Sequence, residues 1–169
     1  MRRVVNWSLA LTAIAGLMVA ADAHAQRKGR QEDYQKKLQA KLDTMLGERM
    51  TAYATQLSEA GGKLKKKDRW KCEVRMTDSA DYKDKADAEI SLTMPTDEFK
   101  EFAPIAVLEA VAVPHNFPAG KIYVRETGSR RVGSIDYRAA DPIGNKYRTG
   151  KPKAMEQAIA EMEGALKWH

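Results

Sequence analysis

From Arg69 to Met94 the chain alternates between apolar and polar residues in two runs. Trp70, Cys72, Val74 and Met76 share one phase; Lys71, Glu73, Arg75 and Thr77 share the other. Ala88, Ile90, Leu92 and Met94 then alternate with Asp87, Glu89, Ser91 and Thr93. Period-two alternation of this length predicts strands with one buried and one wetted side. The polar stretch Asp78-Ser79-Ala80-Asp81-Tyr82-Lys83-Asp84-Lys85 between them has turn chemistry, so the two strands form an antiparallel hairpin.

The flanking periodicity is helical. From Glu32, the positions Tyr34, Leu38, Leu42, Met45, Leu46, Arg49, Tyr53 and Leu57 recur at three- and four-residue steps, and Gly61-Gly62 supplies a stop. Gln26 to Gln31, basic and polar, is expected to fray. After Met94, Thr96 is a candidate N-cap with Asp97 and Glu98 behind it. Phe99 and Phe102 open a second helix, Pro104 kinks or restarts it, and Ile105 to Val113 reads as its buried continuation. Lys121 to Arg125 alternates again, Thr127-Gly128-Ser129-Arg130 turns, and Arg131 to Arg138 returns, its apolar phase slipping so as to predict a bulge at Gly133. Asp141 to Asn145 reads as loop, Tyr147 as part of a short strand, and Pro152 opens a last helix striped by Met155, Ile159, Met162 and Leu166. The whole predicts an α+β domain: an antiparallel four-stranded sheet with helices mainly on one face, in the order α-ββ-α-ββ-α.

The first 25 residues stand apart from this pattern. Arg2 and Arg3 precede an apolar run from Trp7 to Ala21, and Ala23-His24-Ala25 is a small-x-small cleavage site. These features predict a secretory signal peptide of residues 1–25, a mature domain of 26–169 beginning at Gln26, and a periplasmic destination. The apolar run is too short for a membrane-spanning helix, so an integral membrane protein is not expected. Cleavage removes two Arg and one Asp, lowering the formal charge from +6 to +5. Cys72 is the sole cysteine, so the fold forms no internal disulfide.

Candidate chemistry is sparse. His115 is the one mature histidine besides the terminal His169, and it lies in a Pro-bounded loop from Pro114 to Pro118. An enzyme would use His115 as a base, or Cys72 as a thiol nucleophile; Cys72 in phase with Val74 reads instead as a small core residue. Asp78, Asp81, Asp84 and Asp87 recur every third residue and lack the spacing and glycine of a calcium loop, so neither metal nor other cofactor is expected. The segment Gly144 to Pro152 misses a phosphate-loop spacing by one residue and carries Pro152 where a magnesium-binding hydroxyl is required, which leaves Lys146 and Lys151 as a candidate anion site at a helix N-terminus. The stronger lead is the polar side of the strands, where Lys71, Arg75, Lys121, Tyr123, Arg125 and Arg131 gather beside the run Lys63 to Lys67. Such a field suits an acidic protein, an anionic polymer or membrane headgroups. A nucleic acid is not the expected partner, because a lone ring, Tyr123, sits among these charges. The function expected first is therefore that of an exported, non-enzymatic binding or adaptor protein. Its alternative, a carrier of a small apolar or lipid ligand, rests on the high apolarity of Ile105 to Val113.

Overall fold

A computed structural model describes residues 8–65, 70–83, 85–113 and 120–169, with backbone alone for 8–22. The elements run α1 (Ser8–Glu59), β1 (Lys71–Asp78), β2 (Ala86–Thr93), α2 (Thr96–Ala112), β3 (Lys121–Glu126), β4 (Val132–Asp136), α3 (Tyr137–Tyr147), α4 (Pro152–Ala165) and β5 (Lys167–Trp168). The strands form one five-stranded sheet in the order β1-β2-β3-β4-β5.

The class is mixed α+β, as expected, but the sheet has five strands rather than four and is mixed rather than antiparallel. β2 and β3 pair in parallel, with Ile90 opposite Val124. The reason is the crossover: α2 carries the chain back along the sheet, so β3 starts at the end where β2 started. The hairpin β1–β2 keeps the predicted register, with Val74 opposite Ile90 and Arg75 opposite Glu89. Its apolar phase turns inward, where Val74, Ala88, Ile90 and Leu92 are buried and Cys72 and Met76 half-buried. Its polar phase turns outward with one exception, Asp87, which is only 7% exposed.

Helices α1 and α2 cover the apolar face. Tyr34, Leu38, Leu42 and Leu46 of α1, spaced by four, are all buried. The helix begins well before Glu32, and the segment expected to fray is helical, pinned where Arg27 hydrogen-bonds Asp78 Oδ1 at 2.9 Å. It stops as predicted: Gly61 adopts φ +78°, Gly62 N–H donates to Leu57 O at 2.7 Å and Gly61 N–H to Ser58 O at 3.0 Å. That pair of bonds satisfies carbonyls the helix itself leaves open.

α2 is buried nearly all round, from Phe99 and Phe102 to Val111, and runs unbroken through Pro104. Thr96 does not cap it; Pro95 holds that position without a side-chain bond. The apolar side chains of Ile105 to Val111 are taken up by the one core. α2 carries a buried acid, Glu109, whose Oε1 accepts from Tyr147 Oη at 2.7 Å and whose Oε2 pairs with the Lys41 ammonium.

Residues 137–147, expected as loop and strand, form a helix. Asp136 caps it by accepting from Arg138 N at 2.9 Å. Gly144 is a packing residue: a Cβ there would lie 2.6 Å from Val111 Cγ1, so glycine lets α3 approach α2. The expected bulge at Gly133 is absent. β4 pairs regularly with β3: Gly133 and Ile135, opposite Val124 and Ile122, face the core, and Val132, opposite Arg125, belongs to the outward phase, so no slip is needed. After α4, β5 adds to the far edge with Trp168 opposite Gly133. The loop Pro114 to Pro118, with His115, and Lys66 to Arg69 lie outside the described residues.

Two glycines test this packing in opposite directions. A Cβ at Gly120 would sit 1.9 Å from Ala86 O, whereas Gly47, in mid-helix, has nothing within 4 Å. Thermal or denaturant unfolding should show Gly120→Ala losing more than about 2 kcal/mol and Gly47→Ala gaining roughly 0.5–1 kcal/mol.

Candidate functional site

The outward face of the sheet is the surface on which most of the predicted residues meet. The register sets them in rows. Arg75, Glu89, Tyr123, Ser134 and Lys167 cross all five strands in line. Beside them run Glu73, Ser91, Arg125 and Val132. Lys71, Arg75 and Arg125 are exposed, and Lys121 and Tyr123 half-buried.

The face is a lattice of matched charges rather than a uniformly basic field. Arg75 donates to Glu73 Oε1 from Nε at 2.9 Å and from Nη2 at 2.8 Å. Arg125 Nε donates to Glu89 Oε1 at 2.9 Å across the β2–β3 seam. Lys121 pairs with Asp81, which the β1–β2 turn brings over. Lys71 has no ion pair among the described residues. These carboxylates also act on neighbouring protons. The hydrogen bond from Tyr82 Oη holds the Asp136 carboxyl below its ordinary value and raises the tyrosine in turn. The Asp81 contact raises Lys121, and burial, followed by the Asp87 charge, raises Tyr123.

Arg131 is not on this face. Regular pairing of β4 puts it out of phase with Val132, and its guanidinium lies 4.4 Å from the Trp168 ring centroid. Nor do Lys146 and Lys151 share an anion cradle. Lys146 Nζ donates to both Glu161 oxygens at 2.7 Å, while Lys151 is the exposed residue before α4. The sequence reading placed Asp81 and Tyr82 in a turn and Asp87 on a strand without giving them, or Asp136, a part in this site. Asp87 Oδ1 accepts from Lys121 N at 2.8 Å and ties β2 to the start of β3. The contacts of Asp81 with Lys121 and of Tyr82 with Asp136 depend on the β1–β2 turn folding against β3 and β4, which no local pattern announces.

Two nucleophile arrangements can be assessed. Cys72 is half-buried on β1, and its thiol is pushed up to about 12, chiefly by burial and then by Asp43 and Glu73. At neutral pH it is protonated and a poor nucleophile. Ser134 Oγ lies 3.2 Å from His169 Nε2, yet among the described residues no carboxylate hydrogen-bonds that imidazole to orient it. No group of three or more His, Cys, Asp or Glu side chains among the described residues is arranged to hold a metal ion. No helix among them is long and apolar enough to cross a membrane.

No family model matches the chain, and no curated protein or solved structure proves similar to it.

The thiol reading has a direct check. Native protein at neutral pH should be labelled by iodoacetamide at Cys72 many times more slowly than protein in denaturant, as mass spectrometry would record; equal rates would mean an activated thiol.

Proposed function

We propose that this is an exported, non-enzymatic binding or adaptor protein whose open sheet face docks an anionic partner. The observation that carries the reading is the asymmetry of the sheet. One face packs against helices, while the other presents Lys71, Arg75, Lys121, Tyr123 and Arg125. A partner's carboxylates or phosphates would replace Glu73, Asp81 and Glu89 at the cations they now hold. Exposed pairs of this kind contribute little, on the order of 0–1 kcal/mol each, so exchanging them costs little.

Export is supported by the basic start, the apolar run and the small-residue motif before Gln26. It is also supported by where contact with the body begins. Ala23 to Gln26 are exposed, and Arg27 is the first described side chain to bond the sheet. Protein secreted to a bacterial periplasm should carry Gln26 as its first residue in intact-mass analysis; a chain retaining residues 1–25 would contradict export with cleavage.

Binding can be read with two probes, polyglutamate and vesicles of phosphatidylglycerol mixed with a neutral lipid. Retention of one or both at low ionic strength should fade as salt shortens the screening length to about 8–10 Å. Lys121→Glu with Arg125→Glu should abolish it while leaving the unfolding midpoint nearly unchanged. Retention by polyglutamate alone points to an acidic protein or polymer, and retention by vesicles alone to headgroups. Binding that survives the double reversal removes the sheet face as the site.

A further inference from the structure

We propose that α1 acts as a substitute strand sealing the outer edge of β1, and that β1, once unsealed, pairs with the β1 of a second copy of this chain.

β1 is an eight-residue edge strand that, among the described strands, pairs with β2 alone. In an antiparallel pair every second residue points its N–H and C=O away from the partner. On β1 these are the even positions, because Gln39 of α1 meets two of them. Its Oε1 accepts from Val74 N at 2.7 Å and its Nε2 donates to Cys72 O at 2.7 Å. One amide side chain thus does what a residue of a neighbouring strand would do. α1 follows the edge along its length, antiparallel to β1. Arg27 reaches Asp78 and the Lys85 carbonyl at one end, Gln39 reaches the middle, and the Tyr53 ring lies 5.9 Å from that of Trp70 at the other.

The sequence of α1 is laid out for this seam. Arg27, Gln31, Gln35 and Gln39 recur every fourth residue beside the buried Tyr34, Leu38 and Leu42, and all four are half-buried. Four helical residues rise about 6.0 Å, and two strand residues advance about 6.6–6.8 Å, so these side chains keep nearly in step with the outward-facing edge groups. The seal is incomplete: Gln31 Nε2 is buried without a hydrogen-bond partner among the described residues. Covering an edge with a helix is one of the ways proteins keep sheets from joining.

Charge identifies the occupant. If Val74 sits on a two-fold axis opposite Val74 of a second copy, the outward-bonding positions pair, Cys72 with Met76. On the open face Glu73 then falls opposite Arg75 of the second copy, and Arg75 opposite its Glu73. Opposite charges placed across strands stabilise such a pair, and a two-fold interface satisfies both at once. Within one chain Glu73 and Arg75 already hold each other at 2.8 Å, so the exchange leaves no charge unmatched.

The test has two readouts on the purified protein. In amide exchange, Gln39→Ala should speed the Val74 N–H roughly fivefold, the effect of losing one hydrogen bond, and leave Arg75 unchanged. In sedimentation velocity the wild type should be monomeric and Arg27→Ala with Gln39→Ala should dimerise with concentration. Adding Glu73→Arg should return it to monomer, and adding Arg75→Glu to that should restore the dimer. If the double alanine variant does not fold, Gln39→Glu, which keeps the acceptor and loses the donor, takes its place in the series. Unchanged Val74 exchange overturns the seal. A folded variant that stays monomeric, or a dimer indifferent to Glu73→Arg, overturns the pairing.

Discussion

The burial of α2 is the constraint on which the rest of this structure depends. A helix whose residues from Phe99 to Val111 are almost all withdrawn from water must be covered on every side. The sheet and α1 cover one side, and α3 and α4 the other. Burial on this scale also requires that the one acid on α2 be met. Glu109 is 4% exposed, and α1 supplies Lys41 while α3 supplies Tyr147. A buried carboxylate left without such partners would be costly, so the same residue that threatens the core also ties three helices to a single arrangement. Tyr34 adds a further tie, its hydroxyl donating to Ala110 O at 2.6 Å.

One consequence is that the sheet is used on one side only. None of the described helices is left to cover the outer face, and the chain populates it with charges of both signs. The register determines which charges meet: Arg125 finds Glu89 because β2 and β3 run parallel, and Lys121 finds Asp81 because the hairpin turn folds over β3. Each pair is exposed and individually weak, so together they keep the face solvated and ready to exchange partners without adding much to stability. A second consequence concerns the edges. With α2 at the centre, α1 lies out over β1, where its polar flank meets a strand edge that would otherwise be free.

The elements with undisturbed periodicity were legible from residues alone: the hairpin from Lys71 to Thr93, the Tyr34 to Leu46 stripe and the apolar run of α2. What was not legible has particular causes. Pro142 and Gly144 read as loop residues, but Pro142 falls in a capped helix and Gly144 serves close packing against Val111. The parallel pairing of β2 and β3 is a property of the crossover and leaves no mark on either strand. Arg131 was drawn onto the basic face by reading the apolar Val132 as inward-facing, whereas Val132 lies opposite Arg125 in the outward phase. The open face itself was visible in the alternation, whereas its neutralisation was not, because ion pairs follow from register and turn placement. Gln39 is absent from the apolar stripe of α1, and only the neighbouring β1 shows that it lies on a seam.

Native-state amide hydrogen exchange resolved along the whole chain tests the central place of α2 most directly. Amides from Phe102 to Val111 should exchange only through global unfolding, with the same free energy as the middle of β2 and β3, while the ends of α1 and α4 exchange by local opening. An α2 that opens locally, with β1, β2 and α1 still protected, would contradict the account.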